Sequence, residues 1–189
     1  MTRRRFIFDP PERFVAGTIG EPGERTFFLQ AREGARVVSV ALEKTQVAVL
    51  AERLGSLLFE LDRRGIISAP EDEGGTDASA LDEPLQEAFR AGTLTLGWDG
   101  SSERVLIEAR AITDADEAAD EAAEIEVNDD EIEDGPDVFR VRISADAARA
   151  FVDRAMRVVQ AGRPPCPLCG APLDRGGHIC PRRNGHYVN

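Results

Sequence analysis

The chain has 189 residues, of which 42% are hydrophobic and 31% are charged, and its formal net charge is −12. A chain of this length can bury one core, or one core with a small satellite. No apolar run approaches the roughly 20 residues of a membrane-spanning helix, and Asp9 and two prolines follow the basic N-terminus where a signal peptide would be apolar. We therefore expect a cytoplasmic protein without a membrane partner.

Most of the acidity lies in one segment. Residues 114–137 contain 13 carboxylates and no basic residue, so removing them from the net charge of −12 leaves about +1 for the rest. Because like charges repel and the segment has little to bury, we expect a disordered insert. It is either a solvated linker or a docking element for a basic partner. The near-neutral remainder makes nucleic acid a weak candidate partner.

The first half of the chain predicts short strands followed by a helix. Apolar runs at 14–19 and 26–31 flank Gly20–Glu24, whose glycines and proline indicate a hairpin turn. A β-rich run follows at 37–42. A helix over 44–64 is indicated by apolar residues at helical spacing: Val47, Leu50, Leu54, Leu57, Leu58 and Leu61. The prolines, glycines and acids of 66–82 indicate a mobile loop.

The second half repeats strands and a helix. Residues 84–91 suggest one or two helical turns. Alternation of apolar residues predicts two one-sided strands, one around Leu94, Leu96 and Trp98 and one around Phe139, Val141 and Ile143. After the turn that follows Trp98, Arg104–Ile112 is predicted to return as the partner of the first strand. Trp98 is expected to anchor the core. Ser144 is a candidate N-cap for a helix that runs to about Ala161.

This order of elements predicts an α+β fold, with an antiparallel sheet and two packed helices. Strands followed by a helix occur twice, as an internal β-β-α duplication would produce. The two halves share this pattern of elements but not their amino-acid sequence. The expected domains are an α+β body over 1–162, which contains the acidic insert, and a small C-terminal zinc-binding knuckle over 163–189.

The C-terminal segment carries a candidate metal site. Cys166-Pro-Leu-Cys169-Gly170 has the spacing that lets two thiolates face one zinc ion, and Cys180 supplies a third sulfur. Three clustered cysteines argue against a disulfide framework. The glycines and prolines around the pair also differ from the helix start that a redox-active Cys-x-x-Cys requires. Three sulfurs and one nitrogen fit a closed, structural zinc site, which has no place for a catalytic water.

The fourth ligand is one of the two histidines of the chain. His178 forms a compact set with Cys166, Cys169 and Cys180, whereas His186 lies near the C-terminus, where ordering costs more. We prefer His178 and leave His186 open.

Residues 1–162 lack the side chains of most enzymes that act near neutral pH. They contain no histidine and no cysteine, and their single lysine is Lys44. One stretch remains a candidate ligand site, since its glycines suit an anion and two arginines flank it: Arg13, Gly17, Gly20 and Arg25. The alternative interpretation of this stretch is a simple hairpin turn.

Two blocks resemble a known family. The block Phe8–Ala31 and the ending Gly-Arg-Pro-Pro-Cys-Pro-Leu-Cys-Gly…Gly-His-Ile-Cys-Pro-Arg-Arg-Asn-Gly are similar to the DUF3090 family of uncharacterised actinobacterial proteins. The arginine-rich, lysine-poor composition agrees with such a source. The resemblance implies no assigned activity. Relatives tend to place tyrosine after the last glycine, where this chain has His186, and this departure favours His178 as the ligand.

The sequence thus favours a non-enzymatic binding or adaptor protein with a structural zinc site and an unknown protein partner. The alternative is an enzyme or small-ligand binder that acts on a phosphorylated compound through Arg13, Gly17, Gly20 and Arg25. A third possibility is that zinc only fastens the C-terminus to the body. The last 27 residues carry four arginines and one aspartate, a net charge of +3 that suits an acidic partner.

Overall fold

The computed structural model of the chain describes residues 3–21, 23–68, 77–113 and 135–161, together with residues 166 and 168. These residues form an α+β fold with a seven-stranded sheet and two helices. In chain order the elements are β1 (Arg5–Phe8), β2 (Arg13–Ile19), β3 (Thr26–Glu33), β4 (Arg36–Leu42), α1 (Lys44–Arg63), β5 (Glu87–Asp99), β6 (Arg104–Ala111), β7 (Val138–Ile143) and α2 (Ala145–Gln160).

Both predicted helices are confirmed. At the start of each helix, a side chain accepts a hydrogen bond from a backbone amide. The amide of Glu43 donates to Oε1 of Gln46 at 2.8 Å, just before α1. The Oγ of Ser144 accepts from the amide of Ala147 at 3.2 Å and caps α2. Caps of this kind satisfy backbone groups that have no partner inside the helix. The cap at Ser144 was predicted from the sequence, whereas α1 was predicted from the spacing of its apolar residues.

The sheet is mixed, and the prediction of a purely antiparallel sheet was wrong. Its strand order is β1-β7-β6-β5-β4-β3-β2, and four neighbouring pairs are antiparallel as predicted for hairpins. The pairs β4–β5 and β1–β7 are parallel. For β4 and β5 the reason is that α1 lies between them as a crossover, and a crossover returns the chain in the same direction.

Connectivity requires the sheet to be strongly curled. The strands β1 and β2 lie at opposite ends of the strand order, yet only residues 9–12 join them. Six strand spacings of about 4.8 Å would separate them by roughly 29 Å in a flat sheet, whereas five residue steps reach at most about 18 Å. The ring of Phe14 on β2 lies 6.3 Å from that of Phe139 on β7 and 4.6 Å from that of Phe151 on α2.

The core fills the concave side of this sheet and the two helices close it. Alternate residues of the strands, among them Leu29, Val40 and Ile107, are fully buried there. Trp98 packs partly buried against the same core, as predicted. On the helices the core residues are Val47, Leu50, Leu54 and Leu58 of α1, and Ala148, Phe151 and Ala155 of α2. Each large apolar side chain buried in this way stabilises the fold by roughly 1.5–3 kcal/mol.

The strand β5 replaces the helical turns expected at 84–91. It begins at Glu87 and runs for 13 residues, pairing first with β4 and then with β6. The register shifts near Gly92, where an added Cβ would lie 2.9 Å from Cα of Ile112. The elements thus follow one order twice, β2-β3-β4-α1 and β5-β6-β7-α2, while an internal duplication stays a prediction.

Candidate functional site

The predicted zinc ligands lie largely outside the described residues. Cys169, His178 and Cys180 are not among them, and neither is most of the expected knuckle. Cys166 is described and is buried, with 6% of its surface exposed. In those parts of the chain that the structure describes, no group of three or more histidine, cysteine or carboxylate side chains forms a metal site. The zinc assignment stays a prediction.

The predicted ligand-binding residues follow one strand and its turn, but they do not converge. Arg13 begins β2, Gly17 lies in its middle, and Gly20 has a φ of 100° in the turn. Arg25 closes the turn, and its Nη1 donates to the carbonyl of Ala161 at 2.7 Å. This bond joins the β2–β3 turn to the end of α2. Whether these four residues bind a ligand stays a prediction.

The guanidinium group of Arg13 is surrounded by acceptors of its own chain. Its Nε donates to Oδ2 of Asp77 at 2.6 Å and its Nη1 to Oδ2 of Asp82 at 2.7 Å. Its Nη2 donates to the carbonyls of Ser79, at 3.3 Å, and Ala80, at 2.9 Å. The hydrogen bond to Asp77 raises the pKa of Arg13 and holds the pKa of Asp77 well below its usual range. Arg13 therefore binds the segment 77–82, and an external anion would have to displace these contacts.

A second arginine, which sequence reasoning missed, holds the same segment. Arg154 of α2 is buried, and its Nε donates to the carbonyl of Ala16 at 2.7 Å. Its Nη1 donates to Oδ1 of Asp77 at 3.2 Å and its Nη2 to the carbonyl of Ser79 at 2.7 Å. Burial lowers the pKa of Arg154. The available signal was its position three residues after Phe151, on the buried side of an amphipathic helix.

Gln30 completes the attachment by binding the backbone of Asp82 at two points. Its Oε1 accepts from the amide of Asp82 at 2.7 Å, and its Nε2 donates to the carbonyl of Asp82 at 2.9 Å. Gln30 is 1% exposed and also donates to Oγ of Ser39. Residues 77–82 thus form a loop, as predicted within 66–82, but one that these hydrogen bonds hold in place. A buried polar side chain with every partner satisfied fixes the backbone that it binds.

An open cleft lies beside this attachment, with a volume of about 350 Å³. Such a volume is at the small end of the range for small-molecule sites. Leu81 forms one wall by packing directly on Gly17, where a Cβ would lie 2.5 Å from Cδ2 of Leu81. The cleft is lined by Gly17, Thr18, Ile19, Ala80, Leu81, Glu83, Leu85, Arg154 and Val158. Its lining is divided about equally between polar and apolar surface, and it includes the charged side chains of Glu83 and Arg154.

The family described as "Protein of unknown function (DUF3090)" matches residues 6–180, which is most of the chain. The chain belongs to the DUF3090 family. The match to this DUF3090 protein begins at residue 6 and reaches Cys180, the last of the predicted sulfur ligands. The actinobacterial source expected from the composition stays a prediction.

No curated protein and no solved structure matches the DUF3090 chain. Within the residues that the structure describes, neither helix is both long and apolar enough to cross a membrane.

Proposed function

We propose that this DUF3090 protein is a non-enzymatic binding or adaptor protein, in which the α+β body is a scaffold. Its C-terminal segment binds a structural zinc ion through Cys166, Cys169, His178 and Cys180, and presents a recognition surface to a protein partner. The zinc site is closed, since four protein ligands leave no position for a catalytic water.

The observation that carries the proposal is how the charged groups in the body are used. Arg13 and Arg154 bind Asp77 and the neighbouring carbonyls, so their charges hold a loop in place. By contrast, every cysteine and histidine of the chain lies between Cys166 and His186. The burial of Cys166 suits a ligand of a structural site, because such thiolates are shielded from solvent.

The cleft beside β2 favours small-ligand binding as the second candidate function. Gly17, one of the four predicted ligand-binding residues, lines it. A phosphorylated compound remains the ligand class in this alternative, although Arg13 and Arg25 already donate to carboxylates and carbonyls of the chain.

Partner capture from native extract tests the adaptor role. Three proteins are compared: the full chain, the chain ending at Gly162, and the full chain with Cys166→Ser and Cys169→Ser. We expect a partner that only the zinc-loaded full chain retains, because the two serines remove half of the ligand set. The matched control Arg182→Glu/Arg183→Glu should keep its zinc and lose the salt-sensitive part of the binding.

Two outcomes would contradict the proposal. If the chain ending at Gly162 retains the same partner, the body carries the binding and zinc only fastens the C-terminus. If the double serine variant binds as the full chain does, recognition does not depend on the metal.

A further inference from the structure

The strands β1 and β2 form the two edges of the sheet, where backbone groups have no neighbouring strand to bind. Such an edge can bind another extended chain unless the protein covers it. β1 is only four residues long, and the carbonyl of Ile7 accepts from Nη1 of Arg36 on β4 at 3.1 Å. The curled sheet therefore protects the edge of β1 with one of its own side chains.

The helix α2 covers the first part of the edge of β2. The ring of Phe14 stacks on that of Phe151 of α2, with 4.6 Å between their centroids. Two residues further along β2, the carbonyl of Ala16 accepts from Nε of Arg154 at 2.7 Å. A strand added here would have to displace α2, so this part of the edge is closed.

The next outward position of β2, at Thr18, is open. In an antiparallel pair, successive residues of an edge strand alternately bind the neighbouring strand and face away from it. The carbonyl of Ala16 binds Arg154 instead of β3, so Ala16 faces away from β3, and Thr18 does so two residues later. Among the residues that the structure describes, no hydrogen bond reaches the outward backbone groups of Thr18. Thr18 lines the cleft together with Gly17 and Ile19, so an extended chain in the cleft can pair with β2.

The side chains around the cleft determine which chain suits it. Leu81 and Leu85 supply apolar surface, and Glu83 supplies an exposed carboxylate. Within the described ranges Glu83 forms no ion pair, whereas the guanidinium group of Arg154 lies 3.2 Å from the carboxylate of Asp77. The unbalanced charge of the lining is thus negative. A lysine or arginine side chain suits such a surface, because its aliphatic part packs on apolar groups while its charged end meets a carboxylate.

We propose that the cleft binds an extended peptide segment of a partner protein, and that this segment carries a lysine or arginine side chain. The peptide backbone pairs with Thr18 and adds a short strand to β2. The basic side chain lies along Leu81 and Leu85 and places its charge at Glu83. Because Arg154 closes the edge at Ala16, the added strand is short. The site lies in the body and does not depend on the zinc-binding segment, so it goes beyond the zinc-dependent adaptor role.

A peptide titration of the full chain, followed by amide NMR of the isotope-labelled protein, tests the proposal. The probe is the acetylated and amidated peptide Thr-Val-Lys-Val-Thr. We expect saturable shifts of the amide resonances of Gly17, Thr18 and Ile19. Glu83→Gln should weaken the binding about threefold, as for the loss of one exposed ion pair. The matched control Glu52→Gln, on the exposed side of α1, should bind as the unaltered protein does.

Two N-methylated forms of the peptide test the backbone pairing without any change to the protein. One form is methylated on the odd-numbered residues of the peptide and the other on the even-numbered residues. Only alternate amides of an added strand donate to its neighbour. We therefore expect one form to bind about tenfold more weakly than the other, as for the loss of a backbone hydrogen bond.

Four results would overturn the proposal. The first is a titration without shifts at Gly17–Ile19. The second is equal binding of the two methylated forms, and the third is unchanged binding to Glu83→Gln. The fourth is a set of shifts confined to the acidic insert, of which residues 114–134 lie outside the described part of the chain. Inorganic phosphate, the simplest probe of the second candidate function, should leave the amides of Gly17–Ile19 unchanged, and shifts there with phosphate alone would also contradict the proposal.

Discussion

At the residue scale, Asp77 connects two arginines that are far apart in the chain. Arg13 lies 64 positions before it and Arg154 lies 77 positions after it, and both donate to its carboxylate. The hydrogen bond from Arg13 lowers the pKa of Asp77. The ionised form is thus stabilised in the folded state more than in the unfolded chain, and the fold is stabilised wherever Asp77 is ionised.

We predict that Asp77→Asn lowers the free energy of unfolding by about 1–2 kcal/mol at neutral pH, a modest value because the carboxylate is partly exposed. Because the pKa of Asp77 is lower in the folded state, this stabilisation is fully present above the ordinary aspartate pKa of about 3.9, and it is lost progressively as the pH falls from there through the lower pKa of the folded state. Urea unfolding of the protein and the variant at about pH 7 and pH 3 should therefore show a difference that shrinks in acid.

The matched control is Asp153→Asn, which makes the same change on the exposed side of α2. It should alter the free energy of unfolding by less than about 0.5 kcal/mol. A difference for Asp77→Asn that persists or grows in acid would show that the ion pairs do not stabilise the fold.

Single residues could be selected from the sequence, but their roles could be predicted only where their contacts are local. Arg13 was chosen because glycines follow it, as in anion sites, and the structure instead surrounds it with Asp77 and Asp82. Ion pairs across such distances depend on the tertiary fold, which short-range spacing does not encode. Ser144 was predictable, because an N-cap contacts only the next few residues.

At the element scale, the connection before β5 is an extended segment fastened across β2 and β3. Gln30 binds Asp82 from β3, and Leu81 packs on Gly17 of β2. Only a residue without a Cβ permits this approach. The function of Gly17 that the structure shows is thus close packing, in addition to its place in the wall of the cleft.

We predict that Gly17→Ala destabilises the protein by about 1–3 kcal/mol, since the added methyl would overlap Leu81. Thermal or urea unfolding measures the effect. Gly97→Ala on β5 is the control; nothing lies within 4 Å of a Cβ there, so its stability should stay the same or rise slightly. In the double variant Gly17→Ala/Leu81→Ala, part of the loss should be recovered. Additive losses would mean that the two side chains do not meet.

Elements were predictable where they depend on local pattern. The hairpin of β2 and β3, the helices α1 and α2, and the strands β6 and β7 all follow from periodicity and turn residues. The start of β5 was missed because Glu87–Arg90 becomes a strand only by pairing with β4, across the α1 crossover. Tertiary pairing outweighs the weak local preference of such a stretch.

At the scale of the whole molecule, one curled sheet holds together segments from both halves of the chain. β1 pairs with β7 although they are more than one hundred residues apart, and the bond between Arg25 and Ala161 joins the first hairpin to the last helix. Strand order and direction at this range could not be derived from the sequence, whereas the α+β class could. Ala161 lies two residues before 163, where the predicted zinc-binding segment begins.

The zinc site is the central claim at this scale, and native mass spectrometry of the full chain purified without chelators tests it most directly. We predict one zinc ion per chain, retained in His186→Ala and lost in His178→Ala and in the double variant Cys166→Ser/Cys169→Ser. A full-length protein that stays free of zinc when folded in its presence would contradict the account. So would zinc binding that survives the loss of both Cys166 and Cys169.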